Sequence, residues 1–227
     1  YYLKNYCGVA ISQVGDQAKM PQSIVLPENL QYIYEYAFWE CLSIENISIP
    51  ASVIFIGNAA FSDCYSLKAI SVDSENQYYS SDDTGALYNK EKTTLYQYPI
   101  GNTSKTYNIA STVSVINEHV FACAEHLETV YIPVSVTSIG YAAFYGCNNL
   151  LDVYYDGTQT HWSEISIDDA NYSFDTATVH FKDVDYSGTC GNNLTWTLNK
   201  STGVLNITGT GAMTNYSSSS SVPWYSY

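Results

Sequence analysis

The sequence predicts an α/β solenoid, a right-handed superhelix that is strand-rich with short helical turns, and its internal spacing carries that prediction. Phe38, Phe61, Phe121 and Phe144 recur in similar surroundings, the first pair and the last pair each separated by one period of 23 residues. In step with them run three further apolar columns: Leu26, Ile49, Ile109 and Ile132; Ile33, Ile56, Ile116 and Ile139; Ile44, Leu67, Leu127 and Leu150. A fixed period of roughly 20 to 30 residues with apolar residues in fixed slots is the mark of stacked coils. One coil cannot bury its apolar face alone, so the core forms only when neighbours stack.

Residues 1–23 fit the period poorly, with Gly15 where Phe belongs, and read as an N-terminal cap or degenerate coil. Regular repeats follow at 24–46 and 47–69, and again at 108–130 and 131–153. Within a repeat, Val130 and Ile132 alternate with Tyr131, which places the first two inward and the tyrosine outward. Pro133, like Pro27 and Pro50, ends the strand, because a residue without an N–H is tolerated where ladder pairing stops. The segment from Ser135 through Phe144 then reads as a tight helical turn, with Val136, Ile139, Ala143 and Phe144 at mixed three- and four-residue spacing toward the core. Small Ala37, Ala60 and Ala143 allow close coil-to-coil approach. In the third repeat Val120 replaces Ala, Ala110 replaces Pro and Cys123 comes one residue early, which predicts local distortion with Cys123 facing the core.

Sixty residues separate Phe61 from Phe121, 37 more than one period, so an insertion occupies about 70–107. Its centre, residues 85–99, alternates around a polar Asn89 to Lys92 turn and predicts a β-hairpin. After Val153 a strand is kept but the Ala-Phe and Cys slots are lost. Residues 154–183 read as a terminal coil in which Trp162 plugs the open core. From Tyr186 the composition changes, and residues 184–227 read as a β-hairpin segment opening a truncated second module, with alternating runs at 194–198 and 204–208.

Cys41, Cys64 and Cys147 fall in one repeat slot. Stacked buried thiols account for that spacing better than disulfides do. Cys7 and Cys190 lie outside the repeats, and their pairing is left open.

The motifs Ile132-Pro133, Ser135 to Gly140, Ala143-Phe144, Cys147 and Leu150 resemble the repeat of the BspA-like leucine-rich repeat family, over residues 24–183. The hairpin segment, the terminal coil with its Ala177 to His180 strand, and the Gly188 to Gly191 segment are similar to parts of the same bacterial proteins. The resemblance implies a leucine-rich repeat superhelix and adhesion to host matrix or to other bacteria.

Composition narrows the functions. All eight basic residues are Lys against 22 acidic ones, a net charge of −14. A nucleic-acid binder needs a basic footprint and commonly bidentate Arg, so that class is excluded. No apolar run approaches the roughly 18 residues of a membrane span. The chain begins at Tyr1 and reads as a trimmed fragment of a secreted or surface protein.

No cofactor or metal set is evident. His119, His126, His161 and His180 lack ligand spacing, and no zinc-protease, serine-hydrolase or Walker motif occurs. Glu118 and His119 near Cys123 could supply a Cys/His pair, but a core position for Cys123 argues against catalysis. Asp168-Asp169 lack the cleft-spanning separation that glycoside hydrolysis needs. Asp73, Glu75, Asp82 and Asp83 could hold Ca²⁺, yet lack EF-hand spacing and read as a solvated loop.

The remaining candidate is a surface. The repeat register puts Ser48, Ser71, Tyr131 and Tyr154 outward in one row, and tyrosine is a common recognition residue because it adds a hydroxyl to a rigid apolar ring. These residues are the expected binding face of a module that holds a protein or glycan on a host or bacterial surface. The alternative is a non-binding spacer or accessory domain of a larger surface protein or enzyme.

Overall fold

The computed structural model describes residues 2–3, 22–182, 186–198 and 203–225. The chain divides into two compact units, Tyr1–His180 and Phe181–Tyr227. In chain order, the strands of the early coils are β1 (Tyr2–Leu3), β2 (Ser23–Val25), β3 (Tyr32–Ile33), β4 (Asn46–Ile49), β5 (Phe55–Ile56) and β6 (Ala69–Val72). Then come β7 (Tyr79–Ser81), β8 (Leu87–Asn89) and β9 (Thr94–Gln97). The later coils give β10 (Thr106–Asn108), β11 (Val115–Ile116), β12 (Thr129–Ile132), β13 (Ser138–Ile139), β14 (Asp152–Tyr155), β15 (Ser166–Ile167) and β16 (Thr178–Phe181). Two short helices interrupt the last coil, α1 (Gln159–Ser163) and α2 (Ser173–Thr176). The expected cap over 1–23 lies outside the described residues apart from β1, residue 22 and the start of β2.

Each regular coil contributes two strands, and each strand pairs in parallel with its counterpart one period away. Ile47 opposes Ile24 and Ile70, while Val130 opposes Tyr107 and Val153. On the second side Ile33 opposes Ile56, and Ile116 opposes Ile139. The burial of β12 alternates as the sequence requires, with Val130 and Ile132 buried and Tyr131 exposed. The strand stops before Pro133.

The helical turn expected over Ser135 to Phe144 does not form. Ser138–Ile139 is a strand, and the chain then turns through two left-handed residues placed two before and two after each Phe. The first set is Tyr36, Ala59, His119 and Ala142, with φ between 52° and 56°; the second is Glu40, Asp63, Cys123 and Gly146, with φ between 55° and 66°. Left-handed backbone cannot continue an α-helix. It does turn main-chain donors along the stack: the amide of Phe38 donates to the carbonyl of Ala60 (2.8 Å) and that of Phe121 to Ala143 (2.7 Å). Val136, Ile139, Ala143 and Phe144 are nonetheless buried, because alternation between strand and turn can mimic helical spacing.

The core is a stack of rings. Phe38 lies on Phe61 at 5.3 Å and 4°, and Phe121 on Phe144 at 4.6 Å and 19°. The third repeat keeps its shape, contrary to the expected distortion. Ala124 fills the buried cysteine slot, while Cys123, half-buried, takes the left-handed position of Asp63 and Gly146. The early cysteine is therefore a substitution at a turn position and not a shift of register.

The insertion contains a coil of its own. β7, β8 and β9 form an antiparallel meander, and β9 then pairs in parallel with β11, making β9 a rung of the second sheet. One period before Phe121, Tyr98 occupies the Phe slot: its amide donates to Val120 (3.0 Å) and its ring meets Phe121 at 5.3 Å. Phe174 on α2 ends this stack, 4.7 Å from Phe144, with Trp162 edge-on to it at 5.6 Å.

In the second unit β17 (Tyr186–Gly191), β18 (Leu194–Leu198) and β19 (Leu205–Gly209) form an antiparallel meander. The sequence had indicated two of these strands. The third, β17, is short on apolar residues, and it is recruited by pairing to β18, where Cys190 and Trp196 are buried.

Candidate binding surface

The outward face of the β10-β12-β14-β16 sheet carries a continuous aromatic column. Parallel pairing places Tyr131 directly beside Tyr154, and their rings stack at 5.0 Å and 14°. The column continues to His180, whose ring lies 4.4 Å from Tyr154 at 13°. His180 is held from the side by Asp152, with 2.6 Å between Nε2 and Oδ1. Tyr131 and Tyr154 remain 42% and 40% exposed. Cross-strand aromatic pairs of this kind contribute about 0.5–1.5 kcal/mol beyond their burial, which orders the rings before any partner arrives. Their facing ring surfaces are occupied by one another, and what remains exposed is the rest of each side chain.

The expected single row of four does not exist. Ser48 and Ser71 are neighbours in the β2-β4-β6 sheet, and Tyr131 and Tyr154 belong to another sheet. The backbone of Gly85, from the insertion, accepts the amide of Ile70 (2.9 Å) beside β6. The Ser71 hydroxyl is turned onto the carbonyl of Ile47 at 3.4 Å. Periodicity gave the facing of each residue; the insertion broke the row. The place of His180 in this column is not given by the period, because its spacing of 26 from Tyr154 departs from it.

The other candidates do not assemble a reactive centre. Cys64 and Cys147 are buried, and each thiol donates to the carbonyl of a Phe one coil back, Phe38 and Phe121, at 3.0 Å. Burial pushes both thiols up to about 12. Cys41 departs from the expected column of free thiols, since it is disulfide-bonded; repeat spacing fixes a slot and its burial but not its redox state. Cys7 lies outside the described residues, and Cys190 is a free, buried thiol.

Cys123 is free, and burial raises its thiol, which works against a nucleophilic thiolate. His119 packs edge-on against Tyr141 at 5.7 Å, and His126, Asp168 and Asp169 are exposed. In the acidic loop, Asp82 spends its oxygens on protein donors. Oδ1 accepts from the amides of Thr84 and Ala86, and Oδ2 from the Tyr107 hydroxyl at 2.8 Å. No group of three or more His, Cys, Asp or Glu that could hold a metal ion occurs among the described residues, and no helix among them is long and apolar enough to cross a membrane. Trp39 donates to Asp63 Oδ2 at 2.7 Å on the turn edge, an ordering contact between neighbouring coils that sequence gave no signal for.

The fold has solved counterparts. A leucine-rich repeat protein from Eubacterium ventriosum matches with 27% identity and a TM-score of 0.50, over 59% of this chain and 42% of that one. A leucine rich cell surface protein from Faecalibacterium prausnitzii matches with 23% identity and a TM-score of 0.50, over 63% of this chain and 56% of that one. The chain thus spans about half the length of these proteins. No curated protein matches it. The BspA type leucine rich repeat region matches residues 17–89 and 89–172 in six copies. With its 23-residue coils, paired parallel ladders and stacked Phe core, the chain belongs to the BspA-type leucine-rich repeat family.

Proposed function

We propose that this chain is a binding module of a secreted or cell-surface protein, and that the Tyr131–Tyr154–His180 column is its contact face. The observation that carries the reading is the exposed, pre-stacked aromatic run on a rigid parallel sheet. Rings ordered in advance lose little freedom on binding, and tyrosine hydroxyls at their rim accept and donate hydrogen bonds. The partner is a protein or glycan of a host or bacterial surface, and the module performs no catalysis of its own. Membership of a leucine-rich repeat family and the likeness to a bacterial cell surface protein support this reading.

The test is binding of the full chain to an array of matrix proteins and glycans, with Tyr131→Ala and Tyr154→Ala beside it. Saturable binding by folded protein that each substitution weakens at least tenfold supports the face. Binding that neither substitution changes removes it. A spacer role is the competing reading, favoured by the partial coverage of the longer solved proteins. Silence across the whole array would favour it.

A further inference from the structure

A cavity of about 260 Å³ opens in the last coil, away from the aromatic column, and its lining is chemically divided. Val134, Val136 and Ile165 supply aliphatic wall; Tyr155, His161 and Glu164 supply polar groups. The polar groups are unspent. Tyr155 is only 3% exposed, yet its hydroxyl, the His161 ring and the Glu164 carboxylate have no hydrogen-bond partner among the described residues. The Tyr155 hydroxyl opens into the cavity and His161 and Glu164 are exposed beside it, so all three can bond a group that enters.

Size and charge select the occupant. The volume is below the ~300–1,000 Å³ of sites that enclose a drug-sized molecule, so it suits one side chain. Glu164 is the single carboxylate in the lining, no lysine opposes it, and the chain carries a net charge of −14. A saccharide would need an open ring face, but the Tyr155 ring is packed edge-on against Trp162 at 5.2 Å. We propose that this cavity is a socket for a lysine side chain of a partner protein. The aliphatic stem lies along Val134, Val136 and Ile165, and the ammonium is held by the Glu164 carboxylate and the Tyr155 hydroxyl. Lysine fits because it is a compact charge on a flexible four-carbon stem, whereas a guanidinium is broad and planar.

The test is amide NMR of the full chain titrated with Nα-acetyl-lysine methylamide, its Nε-acetylated form and the arginine counterpart. The expected result is saturable shifts at Tyr155, His161 and Ile165 with the lysine compound. Affinity should fall at least tenfold for the Nε-acetylated and arginine compounds and at least tenfold in Glu164→Gln. A control substitution at an exposed carboxylate elsewhere, Glu125→Gln, should leave the affinity within twofold. No response to the lysine compound, equal response to its acetylated or arginine counterpart, or undiminished binding by Glu164→Gln would each overturn the assignment.

Discussion

The thiol of Cys147 donates to the main-chain carbonyl of Phe121 across one coil boundary, at 3.0 Å. Cys64 makes the same bond to Phe38, so in the second and fourth repeats the cysteine closes the coil onto the coil before it. Cys147→Val keeps the volume but removes one of the two donors to the Phe121 carbonyl, which keeps the Ala124 amide at 2.9 Å. A loss of about 1 kcal/mol is expected, by the magnitude of a net intramolecular hydrogen bond, and urea denaturation would measure it. An unchanged midpoint would show that the thiol serves packing alone.

The same thiols set an alkaline limit. Cys64 and Cys147 are raised from 9.0 to about 12, and Tyr79, Tyr88 and Tyr98 from 10.0 to about 12, all chiefly by burial. In the unfolded chain these groups lose their protons near 9 and 10, while the folded chain keeps them, so folding binds protons in that window. Stability is therefore fully present below pH 9 and falls as pH rises through 9 to 12. A pH series of thermal melts should show Tm constant from pH 7 to 8.5 and declining above it.

Exposure ranks thiol reactivity. Cys123 is half-buried, whereas Cys64, Cys147 and Cys190 are buried. Alkylation of native protein at pH 8 should modify Cys123 at least tenfold faster than those three, as peptide mapping would show.

Asn76 makes four side-chain hydrogen bonds to the main chain. Fully buried, it donates from Nδ2 to the carbonyls of Pro50 and Val53 at 2.9 Å and accepts at Oδ1 from the amides of Tyr78 and Tyr79 at 2.8 Å. It anchors the start of the β7–β9 meander to the second repeat. Asn76→Ala takes a partner from four main-chain groups, of which only the Pro50 carbonyl keeps another, the Val53 amide at 3.2 Å, and a loss of roughly 3 kcal/mol is expected from the penalty of unsatisfied buried groups. Chemical denaturation would report it.

Glu40 is exposed with φ of 55°. Glycine removes the left-handed penalty of about 1–2 kcal/mol and returns part of it as unfolded-state entropy. Glu40→Gly should therefore raise stability by up to about 1 kcal/mol, where a helical site would lose as much. A lower melting temperature would contradict the turn geometry.

The period made the coils, the inward columns and the outward tyrosines legible, because the same side-chain environment recurs at each step. What it concealed follows from the same cause. Tyr98 was hidden as a core ring because its coil reaches the Phe slot by way of a meander, with Leu95 opposing Ile116 two residues short of the period. The left-handed residues at Tyr36, Ala59, His119 and Ala142 include no glycine or asparagine and only one repeated type, alanine, so nothing local announced them. The surface column needed His180, and the socket needed Tyr155 beside Glu164; both arise where the terminal coil abandons the repeat. Asn171 is a similar case, since its side chain does what a main-chain group does elsewhere.

That last coil also bears on how the protein could lengthen. The Asn171 side chain accepts the Phe144 amide at 2.9 Å, and the Ser173 hydroxyl donates to the Phe144 carbonyl at 2.7 Å. Together they stand in for the carbonyl and the thiol that a following repeat would bring. The end of the stack is thus written into two side chains and needs no further copy to complete it. Duplicating a 23-residue block upstream would extend the array while leaving its stop signal untouched, whereas a duplication downstream of Phe144 would first have to erase it.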